Sequence, residues 1–220
     1  YFFNMHLHYG IVYTLAEDGL YTINATTLAV ELSVDVELPP NYNSILHFGD
    51  TNFVATNDGL YARRPFEPAW KQIVAVNKPF IRSTPTLYFC IGQDPVDETG
   101  ETYIVFYSVA GAVWNRSNQF TGYVISGAAK RYDSIYYATD HGLLIEDLGQ
   151  LFGGGVSTLS AADLDGDEEP DDIAINAVDA DDEIVIVARD DGGIYTSSGG
   201  SWTATTSVFS TIHKVKAVEG

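Results

Sequence analysis

The stretch NFVATNDGLY, residues 52–61, has a short apolar strand, a polar Asn-Asp-Gly turn and then an apolar-aromatic pair. Asp-Gly between alternating hydrophobic residues is a strong hairpin signal, because these residues accept the positive φ angles that tight turns require. The stretch therefore predicts two antiparallel strands joined by a tight turn.

The same unit recurs at 11–21, 103–114, 134–144 and 183–195. Its glycines stand at positions 19, 59, 111, 142 and 193, at spacings of 40, 52, 31 and 51 residues. One four-stranded propeller blade takes roughly 40–50 residues. We therefore predict an all-β fold, a β-propeller of five blades with four antiparallel strands each, in which every hairpin supplies the two middle strands. Loop insertions such as 92–101 would explain the uneven spacing, and an all-β sandwich of short strands is the competing architecture.

The composition fits one folded, strand-rich domain. Hydrophobic residues make up 45% of the 220 residues and aromatic residues 13%, a balance that suits pleated sheets. No apolar run approaches the roughly 20 residues that a membrane-spanning helix needs, so we expect no membrane insertion. We predict a single domain over 1–220, either complete or a piece of a longer chain.

The charge is strongly acidic, with 30 Asp and Glu against 11 Lys and Arg and a net charge of −19. Nucleic-acid binding needs clustered basic residues that displace counterions, so we expect no nucleic-acid partner. Few lysines and many carboxylates suit a protein from a salt-loving organism, in which strong salt screens the self-repulsion. An ordinary acidic secreted protein has a similar composition, and both interpretations stay open.

Two of the repeat units carry a family resemblance. GIVYTLAEDGLYTINATTLAVEL (10–32) and TNFVATNDGLYARRPFEPAWKQI (51–73) resemble blades of the quinoprotein-like and tachylectin-like propellers. Five blades in 220 residues are close to the compact size of the tachylectin type. The resemblance implies a propeller and says nothing about activity.

The stretch ADLDGDEEPDDIAI, residues 162–175, gathers seven carboxylates between Asp163 and Asp172. Alternating short carboxylates let one loop wrap its oxygens around a single hard cation, and Ca²⁺ takes six to eight oxygens. The predicted ligands are the carboxylates of Asp163, Asp165, Asp167 and Asp171 and the main-chain carbonyl of Glu169. The loop is not an EF-hand, because its twelfth position is Ala174 and a strand-like run follows Pro170.

The longer segment FGGGVSTLSAADLDGDEEPDDIAIN (152–176) resembles the FG-GAP repeat of integrin α-subunit propellers and related bacterial adhesion domains. The match includes the opening Phe152-Gly153, the Asp-rich run and the Pro170-Asp171 pair before an apolar strand. The resemblance implies Ca²⁺ at the four aspartates named above, on a loop that rigidifies its blade. One position departs from the pattern, since Glu168 stands where a glycine in the left-handed conformation is usual. The alternative is a solvated acidic turn that binds no metal.

No spacing of residues singles out a catalytic pair or a nucleophile, so we predict that the protein is not an enzyme. The sequence favours a non-catalytic extracellular binding or structural module, for adhesion or assembly on a microbial cell surface or in a virion. Its partner would be a protein or glycan surface. In a virion, the module would be part of a larger assembly. The alternatives are a carbohydrate-binding lectin and a glycan-processing hydrolase with a carboxylate pair in the propeller funnel.

The three tryptophans, Trp70, Trp114 and Trp202, each follow a repeat hairpin. They are interpreted as core residues, and the alternative is that they stack sugars in a ligand pocket. A second acidic run, DADDE (179–183), is interpreted as a solvated loop.

Overall fold

The structure is a computed structural model that describes residues 2–16, 19–34, 41–64, 66–83, 88–108, 111–148, 158–205 and 215. In these ranges every regular element is a β-strand. The chain divides into two compact units, Tyr1–Thr121 and Gly122–Gly220. The predicted match at Phe152-Gly153 lies outside the described residues.

The described part of the first unit forms three antiparallel sheets of four strands, each built from strands consecutive in sequence. The first sheet contains β1 (Phe2–His8), β2 (Ile11–Ala16), β3 (Gly19–Asn24) and β4 (Val30–Val34). The second sheet contains β5 (Tyr42–Phe48), β6 (Thr51–Thr56), β7 (Gly59–Arg63) and β8 (Lys71–Val74). The third sheet contains β9 (Asn77–Ser83), β10 (Tyr88–Gln93), β11 (Thr102–Ser108) and β12 (Asn115–Thr121).

The described part of the second unit forms two further sheets of the same kind. The fourth sheet contains β13 (Ile125–Arg131), β14 (Ser134–Thr139), β15 (Gly142–Asp147) and β16 (Thr158–Ala161). The fifth sheet contains β17 (Ile175–Ala180), β18 (Val185–Arg189), β19 (Ile194–Ser197) and β20 (Thr203–Thr205). The prediction of an all-β fold with five groups of four antiparallel strands is confirmed.

Four of the five predicted hairpins are present and supply the two middle strands of their sheets as predicted. The third sheet differs, because 103–114 contains most of β11 but no second strand, and the next strand, β12, begins at Asn115 and lies at the edge of the sheet. The middle strands of that sheet are β10 and β11. Residues 94–101, most of the predicted insertion 92–101, are therefore the turn between the middle strands. Gly100 and Gly111 both have positive φ, so a glycine turn lies on each side of β11.

Strand β6 shows how the first unit forms its core. Successive side chains of a strand point to opposite faces, so a strand covered on both sides is apolar on both. Val54 packs with Leu15 and Leu20 of the first sheet, whereas its neighbour Phe53 packs in a cluster that includes Cys90 of the third sheet. Cys90 is fully buried, which raises the pKa of its thiol, and it is the core residue that its apolar surroundings predict.

The second unit has a buried cluster that joins the fourth and fifth sheets. Its buried members are Ala138, Leu143, Ala162, Leu164, Ile175, Val185, Val187 and Tyr195. Ala162 and Leu164 belong to the acidic stretch, so two residues near its start are anchored in the core.

The three tryptophans are partly buried and pack against the core clusters, as the core interpretation predicts. Trp70 lies against the cluster shared by the first and second sheets, and Trp114 against that of the second and third. Trp202 packs against the cluster of the second unit, with its ring 6.3 Å from that of Tyr136 in an edge-on arrangement.

Candidate metal centre

The acidic loop runs from the end of β16 to the start of β17, between two strands as the sequence predicts. The ends of the loop are tied together, because the Asp171 amide donates to the Ala162 carbonyl at 3.1 Å. The Ala162 amide in turn donates to the carbonyl of Leu143 on β15 at 2.9 Å. Leu164 is buried, whereas residues 165–170 are all exposed. The middle of the loop is thus exposed to solvent, whereas residues near its two ends are buried.

Asp163 organises the exposed part of the loop. Its Oδ1 accepts the Gly166 amide at 2.7 Å and its Oδ2 accepts the Glu168 amide at 3.0 Å. Glu168 has a φ of 73°, so the position at which the sequence departs from the FG-GAP pattern adopts the left-handed conformation. A side chain in this conformation costs about 1–2 kcal/mol, and the hydrogen bond to Asp163 helps to hold it.

Three of the five predicted ligand residues converge. One carboxylate oxygen from each of Asp163, Asp165 and Asp171 lies within 4.8 Å of the other two. Asp171 is 9% exposed and Asp165 is open to solvent. The group therefore combines a nearly buried carboxylate with one that is open to solvent.

The remaining predicted ligands are the Asp167 carboxylate, which is not part of this group, and the main-chain carbonyl of Glu169. The Oδ1 atom of Asp167 accepts the amide of Glu169 at 3.0 Å, and both residues are exposed. Both residues therefore lie in the solvent-exposed part of the loop.

Arg189, the last residue of β18, is a member of the site that the predicted ligand set does not include. Its Nη1 donates to Asp171 Oδ1 at 2.5 Å and lies 3.6 Å from Asp165 Oδ2. A sequence signal for this role exists, because Arg189 is the only Lys or Arg between Arg131 and Lys214. The intervening stretch 132–213 holds 17 acidic residues, so its one permanent cation is expected to pair with carboxylates.

The other guanidinium nitrogens of Arg189 are held by residues of the β18–β19 hairpin, to which Arg189 belongs. Nε and Nη2 donate to Asp191 at 3.1 and 2.7 Å, and Cζ lies 4.9 Å from the centre of the Tyr195 ring. The bond from Arg189 lowers the pKa of the Asp191 carboxyl and raises the already high pKa of the guanidinium. Burial, more than any charge, raises the pKa of Tyr195. Arg189 is thus a fixed and permanent positive charge.

A second contact fastens the loop to the turn between β14 and β15. The His141 Nδ1 atom lies 2.8 Å from Asp172 Oδ1, and its Nε2 lies 3.9 Å from Asp140 Oδ2. The bond with Asp172, followed by the charge of Asp140, raises the pKa of His141. In the repeated turns an aspartate usually precedes the glycine, and His141 stands in that position before Gly142. The sequence therefore gives no sign of its partner Asp172, 31 residues away.

The chain resembles several solved structures in fold. The designed protein Ika8 has a TM-score of 0.68 at 12% identity, over 99% of this chain and 65% of Ika8. The extracellular domain of BT4673, a one-component system of B. thetaiotaomicron, has a TM-score of 0.65 at 10% identity, over 97% of this chain and 30% of that one. YCF48 from Cyanidioschyzon merolae has a TM-score of 0.64 at 14% identity, over 93% of this chain and 71% of YCF48.

These neighbours are β-propeller-like, and at such low identity the likeness establishes the fold alone. The chain has an all-β, β-propeller-like fold, and it spans less than two thirds of the length of Ika8 and of the BT4673 domain. No protein-family model matches the sequence, and a search of curated proteins finds no match. The part of the chain that the structure describes contains no helix long and apolar enough to cross a membrane.

Proposed function

We propose that the five sheets are blades of one β-propeller over residues 1–220, and that this module binds Ca²⁺ in its acidic loop. The observation that carries the proposal is the convergence of Asp163, Asp165 and Asp171. Two oxygens that bind the same Ca²⁺ at about 2.4 Å lie at most about 4.8 Å apart. The three carboxylates already meet this limit, so a shared ion requires little rearrangement of their side chains.

The remaining ligands come from the exposed half of the loop. Asp167 and the main-chain carbonyl of Glu169 complete the set of protein oxygens, and water supplies the rest. Ca²⁺ tolerates such an open and irregular shell, whereas Mg²⁺ demands near-octahedral geometry at about 2.0–2.1 Å. We therefore expect the site to prefer Ca²⁺ over Mg²⁺.

The proposed role of the module is non-catalytic binding or structural support outside the cell, in adhesion or assembly on a microbial surface or in a virion. The resemblance of 152–176 to the FG-GAP repeat supports this role, as does the likeness in fold to an extracellular domain. The partner would be a protein or glycan surface. The net charge of −19 argues against nucleic acid as the partner, and is compatible with a halophilic source.

The test is thermal unfolding in Ca²⁺, in Mg²⁺ and in chelator, at low salt and in molar KCl. At one hundred times its dissociation constant, Ca²⁺ adds about 2.7 kcal/mol, a rise in Tm of roughly 5–10 °C for a chain of this size. Asp165→Asn should abolish the rise. Asp182→Asn, an equally conservative change in the second acidic run, is the matched control and should leave it intact.

The outcomes separate the candidate functions. Equal Tm in Ca²⁺ and in chelator, with strong stabilisation by KCl, would reduce the loop to one part of a salt-adapted surface. A glycan array in Ca²⁺ with discrete hits would favour a lectin, and turnover of a polysaccharide panel would favour the hydrolase. No hits and no turnover are expected for a structural module.

A further inference from the structure

Arg189 reaches the acidic loop from another strand and is positioned there without help from the loop. Two groups on its own hairpin, β18 to β19, hold the guanidinium: the Asp191 carboxylate, which accepts Nε and Nη2 in a fork of two bonds, and the ring of Tyr195. Arg189 is 8% exposed, so the guanidinium has little freedom to swing into solvent. Its Nη1 is consequently fixed in the direction of the carboxylates.

The Nη1 atom uses the same oxygens that a metal would use. Asp171 Oδ1 accepts Nη1, and Asp171 Oδ2 accepts the Leu164 amide. Nη1 also lies 3.6 Å from Asp165 Oδ2. A cation that coordinates Asp171 must therefore share this carboxylate with the guanidinium or replace it.

The pairing of Arg189 with Asp171 is shielded from solvent. The two side chains are 10% and 4% exposed, so salt screens their attraction much less than that of surface pairs. Removing one partner of such a pair leaves an uncompensated buried charge on the other. The loop carries seven carboxylates in ten residues, and Arg189 is the one Lys or Arg in a stretch of 82 residues, 132–213.

We propose that Arg189 is the resident counter-ion of the acidic loop, and that it sets the cation affinity of the loop by competing for Asp171. The competition rests on the proposed calcium site. Arg189 holds the loop in its folded form when no metal is bound, and Ca²⁺ binds by displacing Nη1 from Asp171. The two bonds to Asp191 keep the guanidinium in place, so in this exchange the Asp171 carboxylate turns from Nη1 to the ion, and neither β18 nor β19 has to move.

Arg131 provides a matched control in the same unit. It is also 8% exposed, but its Nη2 donates to the main-chain carbonyls of Glu183 and Ser198 at 2.8 and 2.9 Å. Arg131→Met therefore removes a buried guanidinium without changing a pair at the acidic loop.

The experiment compares Arg189→Met, Arg189→Lys and Arg131→Met with the unchanged chain. Ca²⁺ affinity is measured by calorimetric titration at constant ionic strength. Because a positive charge in contact with Asp171 opposes a second cation, Arg189→Met should lower the Kd for Ca²⁺ by about tenfold or more. Arg189→Lys keeps the charge but loses the fork, so its Kd should fall by less. Arg131→Met should leave the Kd unchanged.

Amide hydrogen exchange in chelator tests the metal-free role. The amides of Leu164, Gly166 and Glu168 donate to Asp171 and Asp163, so they report on the fold of the loop. They should exchange about tenfold faster in Arg189→Met than in Arg131→Met. If Arg189→Met does not fold, Arg189→Lys serves for both measurements.

An equal or higher Kd in the Arg189 variants would overturn the competition, and unchanged exchange of the three amides would overturn the counter-ion role. Should neither the unchanged chain nor Arg189→Met bind Ca²⁺, the proposed calcium function fails and the competition fails with it. The exchange rates would then still decide whether Arg189 holds the loop.

Discussion

Gly142 lies against the main-chain carbonyl of Asp171, so closely that a Cβ atom at position 142 would overlap with that oxygen. Gly142 begins β15 and has a φ of 93°, a conformation that favours glycine. The tight turn between β14 and β15 and the end of the acidic loop are therefore packed main chain against main chain. This contact fixes where Asp171 enters the candidate site.

Gly142→Ala should be strongly destabilising, because the new methyl group meets a fixed carbonyl and the backbone conformation is also strained. We expect a loss of about 3 kcal/mol or more in the free energy of unfolding. Gly166→Ala is the matched change, since Gly166 has a φ of 81° but nothing within 4 Å of the new Cβ. It should cost only about 1 kcal/mol, measured by urea denaturation. Equal losses would show that the close approach to Asp171 contributes nothing.

Glu168→Gly should stabilise the protein, because it relieves the left-handed strain at a φ of 73°. The expected gain is about 1 kcal/mol in chelator, read from the urea midpoint at constant slope. Glu168→Gln removes the charge and keeps the strain, so it separates conformational relief from reduced repulsion. A gain as large in Glu168→Gln would mean that charge, not backbone conformation, is responsible.

Stability should depend on pH through His141. Its bond with Asp172 raises the pKa of His141 above that of the unfolded chain, about 6.5. The charged contact therefore stabilises fully below about pH 6.5 and is lost as the pH rises through the higher folded pKa. His141→Gln should show a smaller fall in Tm than the unchanged chain between pH 6 and 8.5, because all other titratable groups are common to both. Parallel curves for the two proteins would refute this contribution.

Two leucines of the first sheet should differ sharply on truncation. Leu20 is fully buried against Leu15, Ile45 and Val54, so Leu20→Ala should cost about 2–5 kcal/mol. Leu7, on the edge strand β1, is 62% exposed, and Leu7→Ala should change stability by no more than about 0.5 kcal/mol. Urea denaturation of the two variants provides the comparison, and a large loss at Leu7 would mean that its side chain is covered in solution.

The hairpins could be predicted from sequence because their signal is local. A turn glycine and the apolar residues on both sides lie within about a dozen positions, so the pattern contains all that the hairpin requires. Which two strands lie in the middle of a sheet depends on their pairing with further strands, which the local pattern does not contain. For this reason the prediction for the third sheet is wrong, because its middle strands are β10 and β11. Taking Gly100 in place of Gly111, the steps from Gly59 to Gly142 become 41 and 42 residues, so the period is more regular than the hairpin glycines suggest.

The candidate site could be predicted in part for the same reason. Asp163, Asp165 and Asp171 lie within nine consecutive residues, and their spacing alone predicts that they converge. Arg189 lies 18 residues beyond Asp171, and its approach depends on how β18 and β19 are placed in the fifth sheet. The contacts of Asp172 with His141 and of Asp171 with Gly142 likewise join segments about 30 residues apart, which only tertiary packing brings together.

Every ladder among the described strands joins two strands that are neighbours in the chain. Pairings of this kind give a low contact order for a β-protein, so the entropy of closing long loops is small and each sheet can nucleate by itself. A unit of roughly 40 residues can thus be duplicated or deleted without breaking a hydrogen-bonded ladder elsewhere. Chains with this architecture can change length in evolution by whole sheets, while an acidic loop such as 162–174 is inherited with the one junction that contains it.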